Sequence, residues 1–80
     1  MDTKDFYKTS DMAMVTYLRL EGHAVQETVW ADGTCHWIFR ANRSLLEMCD
    51  RFTAGEALVD PRMFNREFSK TKGEFHSTKN

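Results

Sequence analysis

Residues 24–40, AVQETVWADGTCHWIFR, contain two runs rich in β-branched and aromatic side chains, one on each side of Asp32-Gly33. An Asp-Gly pair between two such runs is typical of the turn of a β-hairpin. An isolated hairpin is marginally stable in water, so helices or a third strand must cover its apolar side chains. The sequence therefore predicts a hairpin packed against other elements.

The loop length of this hairpin determines which side chains share a face, because successive strand residues point to opposite sides of a sheet. A two-residue loop pairs Ala31 with Thr34 and places Trp30 beside Cys35. A three-residue loop, with Gly33 in the left-handed conformation, pairs Trp30 with Thr34 instead. We predict the three-residue loop, because it collects more of the apolar groups on one face. These groups are Val25, Val29, Cys35, Trp37 and Phe39.

Helix signals flank the hairpin on both sides. Thr9-Ser10-Asp11 is a helix start and Gly22 a helix end, which predicts a first helix over about 10–21. Phe6-Tyr7-Lys8, just before this helix, is compatible with a short extended segment that docks on a sheet edge. After the hairpin, Asn42 is a good N-cap, and apolar residues at helical spacing predict a second helix over about 43–53.

A third helix is predicted over about 61–72, because Asp60 is a capping carboxylate and Pro61 suits the first helical position. Its predicted inward stripe consists of Met63, Phe64 and Phe68, with Phe75 as a further candidate. The resulting order, α-β-β-α-α, predicts an α+β fold class with helices covering one face of the hairpin.

The 80 residues are expected to form a single domain over residues 1–80, with an ordered core over about 6–72 and a loose polar tail over 73–80. Apolar residues make up 41% of the chain, which is too many for a disordered protein. No apolar run is long enough to cross a membrane, and the first residues lack the order of a secretory signal. We therefore expect a cytoplasmic protein without membrane contact.

The sequence offers few groups for chemistry. Cys35 and Cys49 lack metal-ligand spacing and are expected to be buried, free thiols. The three histidines, His23, His36 and His76, are scattered, and no serine or cysteine stands in a recognisable activating turn. We therefore predict a protein that is not an enzyme and that has no cofactor and no metal site.

The formal net charge of −1 conceals an asymmetry along the chain. Residues 1–60 hold six Lys or Arg against ten acids, a charge of −4. Residues 61–80 hold five against two, Glu67 and Glu74, a charge of +3. A basic C-terminal helix can contact phosphate, although two acids interrupting it make a weak phosphate footprint.

Four segments stand out by their order and spacing. They are Tyr7-Lys8-Thr9-Ser10-Asp11, Tyr17-Leu18 with Gly22-His23, Cys35-x-Trp37-Ile38-Phe39, and Gly55 to Phe64 with Val59-Asp60-Pro61 at its centre. Together they resemble a small uncharacterised family found in bacteria, archaea and their viruses. The resemblance covers residues 6 to about 72 and implies no known activity, so no functional residue is carried over. The chain departs from it at Trp37, where members usually have Phe, and in its extended polar tail.

Binding to a macromolecule is the function that the sequence favours. In the predicted register Trp30 lies on the outer face at the hairpin tip, and an exposed tryptophan is a typical interface anchor. The alternative is that a helix covers this face and makes Trp30 part of the core. The predicted partner-binding residues are Glu27, Trp30, Asp32, His36 and Arg40.

The predicted function is therefore a non-catalytic docking protein that occludes a host protein or nucleoprotein complex. Its sharpest form is a phage-type inhibitor of a CRISPR effector complex, an analogy that rests on size and charge. The alternative function is a small nucleic-acid-binding accessory protein, with Trp30 stacking on a base and four cationic side chains contacting phosphate. These are Arg62, Arg66, Lys70 and Lys72. The chain is expected to be a monomer or a weak homodimer.

Overall fold

Six elements make up the fold over residues 6–78, the part of the chain that the computed structural model describes. They are β1 (Phe6–Thr9), α1 (Met12–Leu20), β2 (Val25–Ala31), β3 (Thr34–Arg40), α2 (Arg43–Thr53) and α3 (Pro61–Thr78). The predicted α+β fold class with the order α-β-β-α-α is confirmed, and a short strand precedes it. No helix within residues 6–78 is long and apolar enough to span a bilayer.

The sheet is antiparallel, with β3 between β1 and β2. β1 pairs with β3 so that Tyr7 is opposite Phe39 and Lys8 opposite Ile38. The predicted docking of Phe6-Tyr7-Lys8 on a sheet edge is therefore confirmed. This third strand supplies the partner that a two-stranded hairpin needs for stability.

The predicted three-residue loop of the hairpin is wrong. Ala31 pairs with Thr34, so the loop has two residues, and both adopt positive φ: +53° at Asp32 and +78° at Gly33. Such turns are favoured because their twist matches that of the flanking strands. A bulge does occur in β2, but it lies between Val25 and Glu27, at the opposite end of the strand.

This register separates the two valines that were predicted to share a face. Trp30 is opposite Cys35, and the bulge returns Val25 to the same face, opposite Phe39. Val29 is opposite His36 on the other side of the sheet. Placing the large indole of Trp30 on the helix-covered face buries more apolar area than placing Val29 there would, which favours the observed arrangement.

The core lies between the helices and one face of the sheet, called here the inner face. Cys35, Trp37 and Phe39 of β3 are fully buried there, together with Val15 and Leu18 of α1. The outer face carries none of the side chains of this buried cluster. It presents Phe6, Lys8, Glu27, Val29, His36, Ile38 and Arg40.

The helix boundaries follow their capping residues. Asp11 caps α1, its Oδ1 accepting from the amides of Ala13 and Met14, so α1 begins two residues later than predicted. Gly22 follows with φ +96°, as expected at a helix end. The range predicted for the second helix is confirmed by α2, whose cap Asn42 accepts from the amide of Leu45 at 2.8 Å.

The predicted end of the third helix is wrong. α3 continues to Thr78, so residues 73–78 are helical rather than a loose tail, and residues 79–80 lie outside the described residues. The extra turns are held because Glu74 and Phe75 both contact the rest of the fold. Met63 was also misplaced by the predicted inward stripe, since it is 53% exposed.

Candidate functional site

The predicted anchor of the partner-binding surface lies on the wrong side of the sheet for that role. Trp30 is half-buried on the inner face, where its ring packs edge-to-face on Phe75 of α3 with centroids 5.5 Å apart. The prediction of an outward-facing Trp30 is therefore wrong, because it rested on the three-residue loop. The alternative, a tryptophan covered by a helix, describes its position.

The other four predicted partner-binding residues keep an outward position. Glu27 and Arg40 are exposed on the outer face, and Asp32 is exposed in the turn. His36 is half-buried, with its Nε2 3.2 Å from the carbonyl oxygen of Ala31, the geometry of an N–H donor to that acceptor. These four residues therefore still form an outward surface, but it lacks Trp30, the aromatic side chain that was predicted to anchor a partner.

α3 owes its start to two adjacent residues. The Asp60 carboxylate accepts from the amide of Arg62 at 2.9 Å, and the Asp60 carbonyl accepts from the amide of Phe64 at 2.9 Å. Pro61 occupies the first helical position, where a missing amide hydrogen removes no helix bond. The helix then runs for 18 residues, about 27 Å.

The inner side of α3 is bound to α1 by an ion pair. Arg19 donates from both terminal nitrogens to the two oxygens of Glu74, at 2.7 and 2.8 Å. The indole Nε1–H of Trp37 donates to the same carboxylate at 3.0 Å. Arg19 is only 14% exposed, and Glu67 approaches it at 4.0 Å as a second, more distant carboxylate. One carboxylate thus links α3 to both α1 and the central strand.

Two buried hydroxyls extend this cluster. Thr16 and Thr71 are fully buried, with their oxygens 3.4 Å apart, and Arg19 donates to Thr71 at 3.3 Å. Each hydroxyl also donates to the carbonyl four residues earlier in its own helix. Within residues 6–78 no buried side-chain nitrogen or oxygen lacks a partner. The cluster is therefore saturated internally, as is typical of a structural network.

The Glu74 carboxyl has a lowered pKa. Burial alone would raise this pKa, but the hydrogen bonds from Arg19 and Trp37 and the charge of Arg19 outweigh it. The net result is a pKa below the ordinary value of 4.5. Glu74 is consequently ionised at neutral pH, and its charge is already neutralised by the guanidinium of Arg19.

The opposite side of α3 forms the candidate site, which we call the cationic face. The exposed residues of α3 include four Lys or Arg and no carboxylate. The two acids of the helix, Glu67 and Glu74, are 23% and 30% exposed and turned toward Arg19. The cationic face consists of Arg62, Asn65, Arg66, Ser69, Lys70, Lys72, Gly73, His76 and Ser77.

Sequence reasoning missed this segregation of charge, although a signal for it was present. Glu67 and Glu74 are seven residues apart, with Thr71 between them at i+4, a spacing that places all three on one helical stripe. Of the four cations of the cationic face, only Lys70 has an acidic partner within residues 6–78: it lies 3.8 Å from Glu67 and is still 67% exposed. The two acids therefore do not interrupt the cationic face.

A second exposed feature lies where the segment between α2 and α3 meets the end of α1. Leu58 is 89% exposed, Val59 37% and Met63 53%. Together with Leu20 they line a hollow of about 180 Å³ that Glu21 and Asp60 border. We call Leu58, Val59 and Met63 the linker patch. Clustered exposed apolar side chains of this kind are typical of protein contacts.

The two thiols are free and buried, as predicted. Burial raises the pKa of both Cys35 and Cys49, which favours the protonated, weakly nucleophilic form. Burial, together with a hydrogen bond to Cys49, likewise raises the pKa of Tyr7. In the part of the chain that the structure describes, no three His, Cys, Asp or Glu side chains come together as a metal site.

Comparisons with protein-family models, with curated proteins and with solved structures found no match to this chain. The family resemblance of the sequence therefore stays a prediction. Its segments do have structural roles: Asp11 and Asp60 cap helices, and Thr9 accepts from the amide of Asp11 at 3.1 Å. The motif residues thus account for local folding.

Proposed function

We propose that this chain is a non-catalytic nucleic-acid-binding module whose contact surface is the cationic face of α3. The observation that carries the proposal is the inward position of Glu67 and Glu74, which leaves four exposed cations on the other side of α3, of which Lys70 alone pairs with a carboxylate within residues 6–78. Arginine and lysine are the side chains that contact phosphate most effectively. This reverses the order of the two functions that the sequence favours.

The composition of the cationic face suits a phosphate backbone. Arg62, Arg66 and Lys70 follow one another at four-residue spacing, which aligns them along one side of the helix. Asn65 and Ser69 add uncharged hydrogen-bond donors of the kind that position proteins on nucleic acids. The carboxylates of the first 60 residues repel a polyanion and so favour its approach to α3.

Salt dependence of binding tests this proposal. Four phosphate contacts give a slope of log affinity against log salt of about −3.6, or about 150-fold weaker binding from 50 to 200 mM salt. Fluorescence anisotropy with labelled single-stranded and duplex DNA measures this slope. Neutralising all four cations, with Arg62→Gln, Arg66→Gln, Lys70→Gln and Lys72→Gln, is expected to abolish most of the binding.

The matched control neutralises the same type of charge elsewhere. Arg43→Gln with Arg51→Gln removes two exposed cations from α2 and is expected to leave the slope within about 1 of its original value. Absence of binding at 50 mM salt to either form of DNA contradicts the proposal. An unchanged slope in the fourfold variant contradicts the assignment to α3.

The linker patch supports a second candidate, which is docking on a protein partner. Leu58 and Met63 can supply the apolar contact that was expected from Trp30. In this candidate the chain occludes a functional surface of a host complex, the sharpest form being inhibition of a CRISPR effector complex. Leu58→Asp is expected to abolish capture of such a partner, whereas Leu46→Asp, on an exposed leucine of α2, is the matched control.

A further inference from the structure

We propose that α3 enters the major groove of B-form DNA, with Gly73 at the point of closest approach and Lys70 and Lys72 toward the phosphates on opposite rims of the groove. This inference rests on the proposed function and specifies its substrate as duplex DNA. It is carried by three features of α3: a glycine that the fold does not require, the angular placement of its lysines, and the position of the aromatic side chains.

Gly73 differs from the other three glycines of the chain. Gly22, Gly33 and Gly55 have φ of +96°, +78° and +77°, a conformation in which glycine is strongly preferred. Gly73 has no such φ, and a Cβ built on it meets no atom within 4 Å. Neither backbone conformation nor packing calls for a glycine inside this helix, where glycine is among the poorest helix formers.

A glycine on an exposed helix face leaves bare backbone where another molecule can approach closely. Gly73 lies within the cationic face, between the flanking lysines and one helical turn from Ser69 and Ser77. The side chains of this central strip are small, whereas Arg62 and Arg66 extend from the N-terminal half. The surface is therefore lowest at the C-terminal half of the helix, where the groove floor would lie nearest.

Lys70 and Lys72 are placed to reach two separate phosphate rows. They are two residues apart, so they project about 160° apart around the helix axis, and both are exposed. Arg62 and Ser69 project between these two directions. A helix lying in a groove has a phosphate row on each side and base edges ahead, which matches cations at the flanks and hydrogen-bonding groups between them.

The position of the aromatic side chains separates duplex DNA from the other nucleic acids. Binding of single strands relies on exposed aromatic rings that stack on bases. The three phenylalanines of α3 are half-buried on its inner side, and Trp30 packs on one of them, Phe75. The major groove of B-form DNA is about 12 Å wide and admits a helix, whereas that of A-form RNA is too deep and narrow.

A comparison of four nucleic-acid ligands tests this inference. The ligands are a 16-base-pair DNA duplex, the RNA duplex of the same sequence, one single strand of the DNA and one single strand of the RNA. We expect the DNA duplex to bind at least about tenfold more tightly than the others at 100 mM salt. Equal affinity for duplex DNA and any of the other three ligands overturns the groove assignment, but it leaves the proposal of nucleic-acid binding standing. Absence of binding to all ligands overturns both proposals.

Substitution at Gly73 separates the groove from a purely electrostatic contact, because it changes no charge. Gly73→Ala and Gly73→Leu are expected to raise the Tm by about 4–8 °C through better helix propensity. The leucine variant is expected to weaken duplex binding at least about tenfold, and the alanine variant less. Ser44→Leu, on the exposed side of α2, is the control for an added leucine. Unchanged duplex affinity of Gly73→Leu overturns the proposal.

Discussion

The two faces of α3 carry charge in opposite ways. On the inner side of α3, Glu74 accepts hydrogen bonds from Arg19 and Trp37, and its charge is neutralised within the fold. On the cationic face, the Lys and Arg side chains are exposed, and within residues 6–78 only Lys70 has a carboxylate partner, Glu67. The formal charge of the helix is thus a poor guide to its surface, because the acids contribute to stability and the bases remain available for binding.

The largest effect is expected where α3 packs on the inner face of the sheet. Trp37 is fully buried and also donates to Glu74. Trp37→Ala is expected to cost about 3–5 kcal/mol, which is comparable to the whole stability of a domain of this size. Circular dichroism should therefore show an unfolded chain at 25 °C. A cooperative melt near that of the unmodified protein contradicts the central position of the indole.

Removal of the inner-face carboxylate is expected to be the next largest effect. Glu74→Ala leaves the mostly buried guanidinium of Arg19 without its bidentate partner and is expected to cost about 1–3 kcal/mol in urea unfolding. Asp50→Ala, which removes an exposed carboxylate from α2, serves as the control and should cost less than about 0.5 kcal/mol. Equal losses in the two variants contradict a tether between α3 and α1.

The Glu74 carboxylate also makes the stability of the fold depend on pH. Because the pKa of Glu74 is lower in the folded chain than its ordinary value of 4.5, the ionised form favours folding. This contribution is present above pH 4.5 and is lost as the pH falls through the lowered, folded-state pKa. The free energy of unfolding should therefore fall more steeply below pH 4.5 in the unmodified protein than in Glu74→Gln, whose side chain does not titrate.

The smallest effect on stability is expected on the cationic face of α3. Arg66 is exposed and forms no ion pair within residues 6–78. Arg66→Gln should change the free energy of unfolding by less than about 0.5 kcal/mol, while lowering the salt slope of DNA binding by about 0.9. A stability loss similar to that of Glu74→Ala would place Arg66 in the fold rather than on a binding surface.

Local signals were sufficient to predict most of the fold. The turn at Asp32-Gly33, the cap at Asn42 and the start at Asp60-Pro61 act over a few residues, and all three lie where the sequence places them. The hairpin register was predicted wrongly because apolar groups were counted as equal. The register instead follows from the large apolar area of the Trp30 indole and from a bulge that lies near Val25 rather than at the loop.

The spacing of Glu67 and Glu74 places them on one stripe of α3, but the contacts that turn this stripe inward come from residues distant in sequence. Arg19 and Glu74 are 55 residues apart in sequence, and Trp37 is 37 residues from Glu74. These contacts extend α3 past Gly73 and turn its acids inward. From the sequence alone, Lys70, Lys72 and Gly73 are typical of a helix end. A basic helix that contains two acids likewise indicates only weak binding to a polyanion.

A nuclear magnetic resonance titration of the isotope-labelled chain with a DNA duplex tests most directly which face of α3 binds. We expect the amide resonances of Arg62, Arg66, Ser69 and Gly73 to shift in a concentration-dependent way, while that of Ile38 on the outer face of the sheet stays fixed. Shifts confined to the sheet or to the linker patch, with the amides of α3 unmoved, would contradict it.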